Sequence, residues 1–175
     1  MNDTVFRALC ACFDLDPDGE AAAAFLIPAY QEPEPAMRPS RSRDVVYYYA
    51  VPEDERQTQY QTFSEASGYP VVSSVLCYKL VLICYGPNCE NNAQAVRSFF
   101  LLDGNNMPRR ILREAGMFPV TDPAPPMILY EEENSLWRKR ADLTAFLYCQ
   151  MEKKYPKKQG MIRAVPAVVM YKSGE

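Results

Sequence analysis

Val71-Val-Ser-Ser-Val-Leu-Cys-Tyr-Lys-Leu-Val-Leu-Ile-Cys-Tyr85 is the stretch that decides the fold. The even positions read Val72, Ser74, Leu76, Tyr78, Leu80, Leu82 and Cys84, and all but Ser74 suit a core. The odd positions mix Ser73, Lys79 and Tyr85 with apolar residues. Side chains alternate across a strand, so this pattern predicts one long strand with one face buried and the other partly covered. Gly86-Pro87 ends it, and Asn88 or Asn91 opens a helix to about Leu102.

Downstream, Pro108–Gly116 reads as a shorter helix stopped by Gly116. Met127–Tyr130 is expected as a short strand and Glu131–Asn134 as a turn. Trp137–Cys149 (WRKRADLTAFLYC) then alternates again. Trp137, Ala141, Leu143, Ala145, Leu147 and Cys149 fall on one side, with Lys139 as the exception. Arg138, Arg140, Asp142 and Thr144 fall on the other. Two strands joined by Glu131–Asn134 predict an antiparallel hairpin.

Upstream, Val45–Val51 (VVYYYAV) is a strand by its β-branched and aromatic content. Thr4–Phe13 places Val5, Leu9, Cys12 and Phe13 at helical spacing behind Asn2, Asp3 or Thr4 as caps. Ala21–Tyr30 divides between helix and strand signals. Gln31–Arg43, with Pro33, Pro35 and Pro39, is expected to be extended. Glu53–Ser67 is expected to form a polar, mobile loop, and Met161–Tyr171 to add a strand or reach a neighbour. The sum is an α+β class: a mostly antiparallel β-sheet with helices packed on one face. Residues 1–150 read as one domain, and residues 151–175 as a basic extension that could contact a neighbouring subunit.

Composition narrows the function. The 175 residues contain 15 Pro but 7 Gly, and the net charge of −3 gives no general nucleic-acid signature. Nine basic and three acidic residues lie from Arg138 to Glu175, which leaves ten basic and nineteen acidic before them. Such asymmetry either suits head-to-tail self-association or marks a solvated basic segment. Six Cys occur without a C-x-x-C pair, and the sequence has no His, so Cys/His zinc sites are unsupported. The thiols read as reduced, as in a cytoplasm. There is no secretory leader pattern and no apolar run of membrane-spanning length.

Three stretches invite a chemical reading. Asp14, Asp16 and Asp18 followed by Gly19 resemble the front of a calcium loop. The closing Glu at the twelfth position is replaced by Phe25, so the choice lies between a solvated acidic turn and a degenerate cation site. Cys84–Asn92 (CYGPNCENN) sets Cys89 near a helix start. A nucleophile would need a base, and no local group supplies one. The alternative is a strand stop with a helix cap. Trp137, Arg138, Lys139 and Arg140 combine an aromatic with three cations, the composition of a protein-contact surface. A solvated strand face or contact with nucleic-acid phosphates are the competing readings. Arg109, Arg110 and Arg113 read as a solvated helix face. The residues nominate no catalytic, cofactor or metal position.

The order of segments resembles the tail or neck terminator proteins of tailed bacteriophages. An N-terminal helix is followed by FLIPAYQEPEPAMRP (25–39), VVYYYAV (45–51), LVLICYGPNCENNAQAVRSFF (80–100) and WRKRADLTAFLY (137–148). Order and spacing carry the resemblance, which covers about Asn2 to Gln150. It implies a structural virion protein, assembled in the host cytoplasm, that forms a homo-oligomeric ring, usually a hexamer. The ring would cap the tail tube, end tail polymerisation and join the head connector or neck proteins, with the sheath as a further partner in a contractile tail. It implies no cofactor, no membrane and no sequence-specific nucleic acid. The basic tail after Gln150 has no obvious counterpart in the family. The rival readings are a head-closure ring or baseplate adaptor, and a Cys-dependent enzyme centred on Cys84–Asn92.

Overall fold

The computed structural model describes residues 2–29, 41–53, 58–64, 69–101, 106–121, 123–133 and 135–154. In chain order the elements are α1 (Asn2–Cys12), α2 (Glu20–Phe25), β1 (Leu26–Pro28), β2 (Val45–Pro52), β3 (Thr58–Ser64) and β4 (Tyr69–Tyr85). They continue with α3 (Cys89–Leu101), α4 (Met107–Glu114), β5 (Met117–Pro119), β6 (Met127–Glu133) and β7 (Leu136–Lys154). All seven strands join one sheet, and β1–β2 is the only parallel pair among them. The class is α+β.

The long strand is the centre of the sheet. β4 pairs antiparallel with β7 from Val71↔Lys154 to Tyr85↔Arg140. Each of these two strands is longer than its outer neighbour, so two short strands share each outer edge. β2 and β3 divide the free edge of β4, and β6 and β5 divide that of β7. The edges end in β1 and β3 on one side and in β5 and β6 on the other.

The period of two decides which face is core. Leu80, Leu82 and Cys84 on β4 stand opposite Ala145, Leu143 and Ala141 on β7, and all are buried. One cluster joins them to Val5 and Leu9 of α1, Ala22 of α2, Val96 and Phe100 of α3, and Leu112 of α4. All four helices therefore lie on one face. Burying that much aliphatic and aromatic surface is the main stabilising term, at ~1.5–3 kcal/mol for each large side chain.

Local signals set the helix limits. In α3, Cys89, Ala93, Val96 and Phe100 recur at helical spacing on the packed side. Asn106 caps α4 by accepting from the Arg109 N–H at 2.9 Å, and Pro108 sits in the first turn. Gly116, at φ +73°, takes the left-handed position after α4, as the sequence predicts.

Three expectations need correction. Thr58–Ser64 is a strand rather than part of a loop, because β4 extends past the end of β2 and its unpaired edge is filled by β3. Glu131–Glu133 continue β6 and pair with Leu136–Arg138 rather than forming the turn, and Ser135 has φ +63°. Arg109 is buried: it shares the packed side of α4 with Pro108 and Leu112, so only Arg110 and Arg113 are solvated there. Trp137 lies on the helix side of β7 and is exposed. Ala21–Tyr30, divided in the sequence, resolves into α2 and β1. β7 runs through the expected boundary at Gln150 to Lys154. Met161–Tyr171 and most of Gln31–Arg43 lie outside the described residues.

Candidate functional site

β7 begins before β4 can reach it. Tyr85, the last residue of β4, stands opposite Arg140, so residues 136–139 pair only with β6. The two strands form an arm that runs on past the four-strand body. On its helix side, alternation places Tyr130 and Lys139 opposite each other, with Glu132 opposite Trp137. Four of the large apolar side chains most open to water belong to this hairpin. Trp137 is 70% exposed, Tyr130 62%, Met127 60% and Leu136 57%. Trp137 and Tyr130 are diagonal neighbours on the helix side, while Leu136 and Met127 lie on the other face; an exposed aromatic pair rimmed by charge is a mark of an interaction surface.

The three cations beside Trp137 are committed to partners within the chain. Lys139 Nζ reaches Glu90 Oε1 of α3 at 2.8 Å, and this hydrogen bond raises its pKa above the ordinary lysine range. Arg138 is only 7% exposed. It turns to the face opposite the helices, and its guanidinium carbon lies 4.4 Å from the centre of the Tyr85 ring. Arg140 pairs with Glu131 and donates from Nη2 to Asp142 Oδ2 at 3.0 Å. The Tyr85 hydroxyl donates to Glu131 Oε2 at 3.1 Å, and Tyr47 meets the Tyr85 ring edge-on at 5.9 Å between centroids.

This network carries the marks of burial. The Tyr85 and Tyr47 hydroxyls are held above the ordinary tyrosine range, chiefly by desolvation. Burial also raises the Asp142 carboxyl, and Arg140 offsets this in part. Asp142 Oδ1 is buried and accepts no hydrogen bond from the described residues. The network therefore fixes the root of the arm and leaves the indole as its unengaged part. Beside Trp137 lies a cleft of about 220 Å³, bounded by Arg41, Gly86, Pro87, Arg138 and Lys139. Arg41 Nη2 donates to the Leu136 carbonyl at 3.4 Å, which ties the segment before β2 to the arm.

Trp137, Arg138, Lys139 and Arg140 are thus brought to one place but play different parts. Trp137 points outward, Lys139 ties the arm to α3, and Arg138 and Arg140 brace the other face. Sequence reasoning missed Tyr85, Glu131 and Asp142. Their signal was register: counting back from a tighter bend sets Glu131 opposite Arg138 and diagonal to Arg140.

The Cys84–Asn92 stretch is a joint. Gly86, at φ +105°, lets the end of β4 pass over Arg43 and Asp44. Asp44 accepts from the Asn88 N–H at 2.9 Å and from Asn88 Nδ2 at 2.8 Å, and so caps the start of α3. Cys89 is buried in the core cluster. Burial raises the Cys89 thiol, and pushes Cys84 up to about 12. Both stay protonated at neutral pH, the opposite of an activated nucleophile.

The acidic turn is closed by its own chain. Asp16 Oδ1 accepts from the Asp18 N–H at 3.1 Å, and the Asp16 carbonyl accepts from the Gly19 N–H at 3.0 Å. Phe25, at the twelfth position of the would-be loop, packs edge-on against Phe13 at 4.9 Å. Among the described residues, no group of three or more Cys, Asp or Glu could hold a metal ion. None of the described helices is long and apolar enough to cross a membrane. No protein-family model matches this chain, and no curated protein does.

Proposed function

We propose that this chain is a structural virion protein of a tailed bacteriophage. In this reading it forms a ring, hexameric in the family it resembles, that caps the tail tube, ends tail polymerisation and joins the tail to the head connector. The observation that carries the reading is the asymmetry of the sheet. β1 and β3 end it on one side, β5 and β6 end it on the other, and only the second side bears the aromatic arm. A subunit that closes a ring must present two unlike surfaces, and a sheet with unlike edges supplies them. The order of segments supports the same assignment, and the geometry around Trp137 favours binding as the mechanism. Electron microscopy of particles made without this gene tests it. Over-long tubes, or heads beside separate tails, are expected. Tails of normal length on attached heads would refute it. A defect confined to head closure or to the baseplate would move the protein to one of those positions in the virion.

A further inference from the structure

β6 is an edge strand. Met127–Glu133 pair with β7 on one side, and among the described residues no strand pairs with them on the other. The main-chain groups that do not face β7 therefore form an open edge seven residues long, and such an edge accepts a further strand. Its two halves differ. Met127, Ile128, Leu129 and Tyr130 are apolar or aromatic, and Glu131, Glu132 and Glu133 are acidic. Glu131 is already held by Arg140 and by the Tyr85 hydroxyl, whereas Glu132 is exposed. A strand that fits this edge antiparallel must start with cations, set a neutral residue against Glu131, and continue apolar.

We propose that Lys157–Arg163 of a second copy of this chain adds an antiparallel strand to the open edge of β6. Pattern and reach set the occupant. The sequence from Lys157 to Val165 lies between Pro156 and Pro166, so every residue in it has the N–H that a ladder needs. Read antiparallel to β6, Lys157 falls opposite Glu133 and Lys158 opposite Glu132. Neutral Gln159 then meets the already paired Glu131, Met161 meets Leu129 and Ile162 meets Ile128. Opposite charges and apolar pairs set directly across a ladder favour the pairing, and like charges oppose it. A shift of one residue toward Val165 sets Arg163 against Ile128 and Gln159 against Glu132. Ala167–Glu175 holds a single cation, Lys172, so it can make one such ion pair at most. The chain's own β6 is out of reach in this register. Glu133 pairs with Leu136, and Lys154 lies at the far end of the 19 residues of β7, about 60 Å away. The step from Lys154 to Lys157 spans at most about 11 Å. The strand therefore comes from another copy. Each copy gives a strand at one place and receives one at another, so the contact runs head to tail and closes into a ring or continues as a filament. The proposal rests on the ring-forming reading above and gives that ring a specific contact.

Cross-linking and charge exchange in the full-length protein test it. Glu132→Cys and Lys158→Cys are made as separate chains. Mixed under mild oxidation, they should give a species of twice the chain mass on a non-reducing denaturing gel, which neither gives alone. A chain carrying both substitutions should give a ladder of cross-linked multimers. Sedimentation velocity over a concentration series follows the charge exchange. Glu132→Lys and Lys158→Glu should each weaken self-association by about three- to ten-fold, and the chain carrying both should regain it, because the pair is restored with its signs exchanged. The double variant keeps the net charge of the wild type, so its recovery reports the pair itself. A doubly substituted Cys chain that cross-links only within one molecule would place the segment on its own β6 and overturn the contact. Rescue of Glu132→Lys by Lys172→Glu in place of Lys158→Glu would overturn the assignment to Lys157–Arg163. Rings that assemble without the cross-link would overturn the contact and leave the ring reading standing. Cross-linked open filaments would support the contact and overturn the ring. A wild type that stays monomeric at every concentration would overturn both.

Discussion

Replacing Gly86 by Ala tests the joint that sets β4, β2 and α3 relative to one another. An added Cβ would lie 2.4 Å from Asp44 Oδ1, 2.6 Å from the Arg43 carbonyl oxygen and 2.7 Å from Asp44 Cα. Two of these three atoms are backbone, so moving one side chain does not relieve the contact. The backbone at φ +105° adds a conformational cost of ~1–3 kcal/mol for any residue with a Cβ. Displacing the Asp44 carboxylate also gives up its bonds to Asn88, which cap α3, at about 1 kcal/mol. Together these predict a loss of about 2–4 kcal/mol. With a slope of ~2 kcal/mol per molar urea, the unfolding midpoint falls by about 1–2 M. Far-ultraviolet circular dichroism in a urea titration measures it. Asp44→Ala alone should cost about 1 kcal/mol. In the Gly86→Ala background it should cost less, because it removes the nearest clashing atom. A Gly86→Ala loss below about 1 kcal/mol would refute the close approach from which the argument starts.

Three further outcomes follow from the same geometry. Burial holds the Asp142 carboxyl above its ordinary range, so the folded chain keeps that proton to higher pH than the unfolded chain does. The contribution of this group to stability is complete below the ordinary carboxylate pKa and is lost as pH rises through the folded value. Asp142→Asn should therefore be at least as stable as the wild type at pH 7, with the gap closing in acid; a variant clearly weaker at pH 7 would mean that attraction to Arg140 outweighs burial. Cys10, Cys77, Cys84, Cys89 and Cys149 are buried, so a thiol reagent at pH 7.5 should modify them only after urea unfolding, and rapid labelling of Cys89 in the native protein would contradict its placement. Titration calorimetry with calcium should give no binding heat at millimolar concentration, because the Asp16 carboxylate already closes its own turn and Phe25 occupies the last ligand position; a saturable signal would sink that view.

The sequence was readable wherever one period ran long enough to outvote local exceptions. Val71–Tyr85 and Ala141–Cys149 alternate over many residues, and the core face fell where expected at Leu80, Leu82 and Cys84 and along Ala141–Cys149, while Cys77 of the other face is buried as well. Thr58–Ser64 was missed because Thr, Gln and Ser carry little hydrophobic signal. That strand exists because β4 offers it an edge, which is a tertiary cause. Glu131–Glu133 were read as a turn on propensity, while Arg138 opposite Glu131 and Arg140 on its diagonal support continued pairing. Arg109 was read as solvated because its charge outweighed its spacing from Leu112; packing of α4 on α1 reversed that.

Trp137 shows that alternation sets the side of a strand a residue takes and not whether that side is covered. The alternation that places Ala141, Leu143 and Ala145 under the helices places Trp137 on the same side, two residue pairs further out. The helix layer has a finite length. α3 begins at Cys89, and its Glu90 meets Lys139, so cover ends just before Trp137. No property of the pentapeptide around Trp137 encodes that limit; it is set by the Gly86-Pro87 joint that starts α3 where it does. The same joint therefore fixes both the core and the exposed indole. Shortening the arm would remove the exposed indole without touching the core, and lengthening α3 by a turn would bury it. The exposed position of Trp137 is thus a property of the relative lengths of β7, β4 and α3, and a contact that depends on it depends on all three.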